Sequence, residues 1–162
     1  MEENMAAQLV QRLLEKGWRI SFAESCTGGL AAAGIVDIPG SSGVLDLSIV
    51  TYANEAKVRY AAVDPEDIAA YGVVSEPVAR QMAEGIANAA NAQVGVGISG
   101  IAGPGGATPG KPVGTVCFGF YVNGKSWAKT VHFGDLGRNA VRTSSVNYAY
   151  AQVLAALSDQ IL

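Results

Sequence analysis

The chain has 162 residues, with 11 Lys and Arg against 14 Asp and Glu, for a net charge of -3. That length suits one domain with a substantial core and leaves little room for a second, so a single domain over residues 1–162 is expected. The acidic balance, with no basic run, argues against nucleic acid or an anionic membrane as the primary partner. Two cysteines, Cys26 and Cys117, and one histidine, His132, make neither a disulfide framework nor a zinc site of paired spacing. No metal is therefore expected. No apolar run approaches a membrane span, and the opening Met1-Glu2-Glu3-Asn4 is acidic where a signal peptide is basic. The expectation is a soluble, cytoplasmic protein.

Apolar Met5, Leu9 and Leu13 recur at helical spacing through residues 3–16, and Gly17 stands where a helix would stop. Residues 18–23 read as a short buried strand that runs into Glu24-Ser25-Cys26-Thr27-Gly28-Gly29 and an alanine-rich helix ending near Val36. After the loop Pro39-Gly40-Ser41-Ser42, residues 44–52 read as a second strand and 54–60 as a short helix. Asp64-Pro65 fits an N-cap with Pro in the first helical position. Ser75 precedes a helix over 76–90, with Val78, Met82 and Ile86 on one face. Residues 93–99 are small and apolar throughout, as a central strand covered on both faces should be. A Gly- and Pro-rich loop fills 100–113. Residues 113–121 and 126–133 then flank Asn123-Gly124, a strong hairpin signal, and a last helix is predicted over 138–157. Strands alternating with helices, plus one hairpin, imply an α/β fold with a mixed sheet and helices on both faces.

Three motif matches fail in context. Gly95-Val96-Gly97-Ile98-Ser99-Gly100 spells a dinucleotide fingerprint but lies inside a strand instead of opening a helix. Residues 105–111 resemble a P-loop, yet Pro112 replaces the magnesium-binding hydroxyl and the segment leads into a strand. Ser126 and Lys129 lie three apart on a strand and so face opposite ways.

Four constellations hold up. Glu24-Ser25-Cys26-Thr27-Gly28-Gly29 sits at a strand-to-helix junction, where unpaired backbone N–H groups suit a phosphate or an oxyanion. Either Ser25 or Cys26 can be its nucleophile. Thr51-Tyr52-Ala53-Asn54-Glu55-Ala56-Lys57 follows the second strand, and a desolvated Lys57 can act as a base toward a Ser hydroxyl. Ser99-Gly100 opens a loop at a third strand end, and Ser41-Ser42 a similar polar loop. Arg138 and Arg142 lie four apart near a helix start, spaced to clamp a phosphate or carboxylate or to pair with Asp135.

Together with Gly72-Val73-Val74-Ser75-Glu76 and Lys111-Pro112-Val113-Gly114-Thr115-Val116, these segments closely resemble the CinA C-terminal domain, the nicotinamide-nucleotide amidase family. The resemblance covers essentially the whole chain. It implies a three-layer α/β/α sandwich with a mixed, mostly parallel sheet containing one hairpin, no cofactor, and self-association into a homo-oligomer. It also implies hydrolysis of the carboxamide of nicotinamide mononucleotide (NMN) to nicotinate mononucleotide and ammonia. By the same resemblance Ser25 is the nucleophile, Lys57 its base, and Tyr52 a residue that positions or relays the proton. Backbone amides of Thr27, Gly28 and Gly29, or of Ser99 and Gly100, would hold the oxyanion. Glu24, Ser42, Asn54, Arg138 and Arg142 would contact the mononucleotide. Leu136 and Gly137 separate Asp135 from Arg138, where the family places an arginine directly after the aspartate, which leaves both arginines as claimants. The alternative is a non-catalytic nucleotide-binding or regulatory domain.

Overall fold

The computed structural model describes residues 4–159. Asn4 opens the first helix, its side-chain oxygen accepting from the Ala6 and Ala7 N–H groups. That helix, α1 (Met5–Lys16), ends on Gly17 in the left-handed conformation. Then follow β1 (Ile20–Glu24), α2 (Leu30–Val36), β2 (Ile49–Val50), α3 (Asn54–Ala61), α4 (Pro65–Tyr71), α5 (Glu76–Ala90), β3 (Val94–Gly100), β4 (Thr115–Val122), β5 (Lys125–His132) and α6 (Arg138–Asp159).

The five strands lie in the order β2-β1-β3-β4-β5. β1 pairs parallel with β2 and β3, and β4 pairs antiparallel with β3 and β5. Four strands therefore run one way and only β4 opposes them, its return made by the Asn123-Gly124 turn with both residues at positive φ. Leu9 and Leu13 of α1, Ile35 of α2 and Val153 and Leu157 of α6 bury one face of the sheet against Phe22, Val96 and Phe118. On the opposite face Val78, Met82 and Ile86 of α5 pack with Ala61 and Ala23. The result is the three-layer α/β/α sandwich expected from the resemblance.

The second strand is far shorter than predicted: residues 44–48 are apolar enough to read as strand, but do not complete a ladder. Ile20 donates to the Val44 carbonyl, whereas Phe22 donates to the Ser48 hydroxyl. A side-chain acceptor has replaced a main-chain one, and Arg19 ties the loop down through Asp46 at 2.9 Å. Among the described residues no helix is long and apolar enough to cross a membrane.

Glycine in β3 and β4 lets α5 lie directly on the sheet. A Cβ at Gly97 would come within 2.3 Å of the Ala79 carbonyl oxygen, and one at Gly119 within 1.9 Å. Gly119→Ala is therefore expected to destabilise the protein by about 3 kcal/mol in chemical denaturation, because neither backbone can yield. Gly105→Ala, which meets nothing within 4 Å, should stay within about 0.5 kcal/mol of wild type.

Candidate active site

In this sheet β1, β2 and β3 end at a common edge, the usual place for chemistry in an α/β sheet. The chain leaves β1 at Glu24, which is fully buried. Its two carboxylate oxygens accept from the Ala31 and Ala32 N–H groups of α2, at 2.8 and 3.1 Å. This is a charge-assisted cap, with an anion placed where the helix presents unpaired donors. Glu24 thus braces the 25–29 turn from within instead of facing a ligand.

Ser25 is pinned to β3 by its N–H, which donates to the Ile98 carbonyl at 3.0 Å. Gly28 and Leu30 donate back into the turn, to the Ser25 and Thr27 carbonyls, and Gly28 and Gly29 adopt the positive φ that this sharp path requires. Those internal bonds remove the Gly28 amide from the set of oxyanion donors and leave the amides of Cys26, Thr27 and Gly29.

Lys57 rises from α3 beneath the turn, only 1% exposed. Its Nζ donates to the Thr51 carbonyl at 2.7 Å and the Tyr52 carbonyl at 3.4 Å, and lies 3.3 Å from Ser25 Oγ. Among the described residues the ion pairs are Arg19 with Asp46 and Arg80 with Glu84, so no carboxylate pairs with this amine. Burial pulls the Lys57 ammonium below its ordinary value of 10.5, against a smaller upward pull from Cys26. Cys26 faces the reverse situation. Burial pushes its thiol up to about 11, with Glu24 adding to the rise and Arg142 and Lys57 opposing it. Ser25 Oγ thus lies beside a buried amine, and the neighbouring thiol stays protonated at neutral pH.

The arginines of α6 divide the work. Arg142 donates to the Cys26 carbonyl at 2.9 Å and the Thr27 carbonyl at 3.3 Å; it clamps the nucleophile turn. Arg138 donates to the Gly103 carbonyl at 2.9 Å and to the Tyr52 hydroxyl at 3.2 Å, so it stands at the mouth between two loops and does not pair with Asp135. Tyr52 itself is 65% exposed. Its carbonyl serves Lys57, and its hydroxyl faces Arg138, away from any relay to the amine. The Ser99 hydroxyl donates to the Val73 carbonyl at 2.7 Å and fixes the approach to α5. A Cβ at Gly100 would strike the Val116 side chain at 2.6 Å.

Two predicted ligand contacts lie elsewhere. Ser42 belongs to a 3-10 turn, Ser41–Gly43, at the opposite end of β1, where Arg19 donates to its carbonyl and Ile20 to that of Val44. A five-residue strand separates it from Ser25 by roughly 15 Å. Asn54 is exposed at the start of α3 and, with Glu55, Val58, Pro65 and Ile68, lines an apolar hollow outside that helix. Thr27 was expected to contribute its backbone amide, but its buried Oγ1, and that of Thr51, which sequence reasoning did not single out, are side-chain oxygens with no hydrogen-bond partner. Thr51 directly precedes Tyr52, but nothing in its spacing marks it. Among the described residues no group of three His, Cys, Asp or Glu side chains converges in a way that could hold a metal.

Comparison with known proteins places these elements in a family. A model of the CinA C-terminal domain matches residues 2–157. A CinA-like protein of Kosmotoga olearia is 46% identical over 156 residues, which is 96% of this chain and 38% of that protein. A CinA-like protein of Chlorobaculum tepidum is 46% identical over 149 residues, covering 88% of this chain and 35% of its own length. The chain thus spans somewhat over a third of the curated relatives it matches. Among solved structures, the competence/damage inducible protein CihA from Agrobacterium tumefaciens superposes with a TM-score of 0.87 at 37% identity, covering 98% of both chains. A CinA superfamily protein from Klebsiella pneumoniae superposes with a TM-score of 0.92 at 32% identity, covering 98% of this chain and 99% of that one.

The unpaired, buried amine has a measurable signature. A lysine whose folded pKa is depressed binds fewer protons folded than unfolded, so stability rises with pH between the lowered value and 10.5. The stability difference between wild type and Lys57→Met should move in favour of wild type across that window. Its slope should approach about 1.4 kcal/mol per pH unit in denaturant titrations.

Proposed function

The chain belongs to the CinA C-terminal domain family, and from that premise and the Ser25–Lys57 geometry we propose that it is an amidohydrolase acting on the carboxamide of NMN. The observation that carries the reading is the arrangement around Lys57 Nζ. Two carbonyls accept two N–H bonds, and the third direction meets Ser25 Oγ at 3.3 Å. A neutral amine held this way aims its lone pair at the serine hydroxyl, which is what a general base requires.

The mechanism follows from these groups. Ser25 Oγ attacks the carboxamide carbon while its proton passes to Lys57, and the carbonyl oxygen becomes an oxyanion facing the 26–29 turn. Its negative charge is met by preorganised amides that Glu24 and Arg142 hold in place. Collapse of the tetrahedral adduct breaks the C–N bond. Lys57 returns the proton to the departing nitrogen, and ammonia leaves an ester on Ser25. Water then attacks that ester, gives a proton to Lys57, and releases the carboxylic acid and the free serine. Arg138, at the mouth and, among the described residues, without a carboxylate partner, is placed to draw an anionic substrate toward the site.

The test is ammonia and nicotinate mononucleotide release from NMN by purified protein in the presence of EDTA. Ser25→Ala should lose about 10⁴-fold or more in kcat, and Lys57→Ala about 10²- to 10⁴-fold. Cys26→Ala should stay within a few-fold of wild type. Full activity in folded Ser25→Ala would overturn the assignment. A folded wild type that NMN stabilises thermally without turnover would instead indicate a nucleotide-binding or regulatory domain.

A further inference from the structure

Two of the segments singled out in the sequence, Gly72-Val73-Val74-Ser75-Glu76 and Lys111-Pro112-Val113-Gly114-Thr115-Val116, contribute nothing to the contacts around Ser25. They nevertheless meet. Ser75, Glu76, Lys111 and Thr115 line one cavity of about 340 Å3, together with Cys117, Thr130 and His132. A second hollow of about 230 Å3 shares Val74 and Lys111 with it and continues past Gly72 and Ile101. The cavity exists because α5 lies tightly on Gly119 through Ala79 and then stops, while β4 and β5 run on to Thr115 and His132. The uncovered corner is roofed by the 71–74 turn and the loop around Lys111.

The lining is largely apolar, with a few hydroxyls and charged groups of both signs set into it. Thr115 Oγ1 lies 3.1 Å from His132 Nδ1, and Thr130 donates to the Glu76 carboxylate at 2.6 Å. Lys111 Nζ donates to the Tyr71 carbonyl at 2.6 Å, has no carboxylate within ion-pair distance among the described residues, and keeps two N–H donors in hand. The titratable residues lining the space are Lys111, His132, Glu76, Cys117 and Tyr71. A cation with spare donors, an imidazole, a carboxylate and hydroxyls around one space complement an anion that also carries hydroxyl groups.

We propose that this corner is a second binding cleft, for a small phosphate monoester of a polyhydroxyl compound, with Lys111 and His132 on the phosphate and Glu76 and Thr130 on the hydroxyls. It rests on no step of the amide hydrolysis. The phosphate can come from a separate ligand or from the far end of a substrate whose other end lies at Ser25.

Ribose 5-phosphate is the probe, ribose its uncharged control, and amide NMR shifts of the full chain the readout. Ribose 5-phosphate should shift Glu76, Thr130 and His132, bind at least tenfold more tightly than ribose, and lose at least tenfold in affinity in Lys111→Met. Ser25→Ala should bind it as wild type does. His132→Gln, at an exposed strand end, should also weaken binding severalfold and gives the reading if Lys111→Met does not fold. Ribose 5-phosphate binding unchanged beside saturating NMN in Ser25→Ala supports a separate ligand. NMN shifting both the 25–29 turn and the cleft, and excluding ribose 5-phosphate, supports the substrate's own phosphate. Equal affinity in wild type and folded variants, shifts confined to residues 25–29 and 138–142, or no binding would overturn the proposal.

Discussion

A lysine amine buried without a carboxylate partner is the constraint on which the site depends. Desolvation penalises the charged ammonium, and among the described residues no carboxylate offsets that cost, so the balance shifts toward the neutral form. The fold accepts this because the Thr51 and Tyr52 carbonyls satisfy the amine's donors at 2.7 and 3.4 Å. A carboxylate beside Lys57 would restore the ammonium and remove the base. Burial acts on Cys26 with the opposite outcome: the desolvation that favours a neutral amine also favours a protonated, unreactive thiol.

Around this amine the charged residues act mainly on the backbone. Glu24 ties α2 to β1, Arg142 ties α6 to the turn, and the Tyr150 hydroxyl donates to the Ala31 carbonyl in the first turn of the same short helix. A Cβ at Gly34 would strike that hydroxyl at 2.3 Å, so the helix must be bare there for α6 to reach it. The flanking β1 and α2 and the distant α6 thus meet around the 24–31 segment and hold the 25–29 turn in place. Preorganisation of this kind is what makes backbone amides effective toward a developing oxyanion.

Much of this was legible in the sequence, for identifiable reasons. Asp64-Pro65 and Asn123-Gly124 carry local chemistry that does not depend on the rest of the chain. The parallel core was legible from the unbroken small apolar run of β3. Residues 44–48 misled because apolar patterning reports burial, and Ser48 substitutes its hydroxyl for a ladder carbonyl without changing that pattern. At the site, residue types pointed to the chemistry while tertiary geometry decided the roles. The resemblance implied Glu24 and Arg142 as ligand contacts, yet each finds backbone partners close by. Ser42 is a polar loop residue like Ser25, and only the direction of β1 separates the two ends. Thr51 was invisible because an orphaned hydroxyl is a property of its surroundings.

The central claim is that Lys57 is a neutral amine at working pH, and direct titration of its side chain tests it best. Selective 13C labelling of the lysine Cε positions, assigned by comparison with Lys57→Met, would follow that one amine through pH in the folded protein. A midpoint well below 10.5, coincident with the rise of kcat/KM with pH, is the expected result. A midpoint at or above 10.5 would contradict the account, since Lys57 would then be an ammonium facing Ser25 with no lone pair to offer.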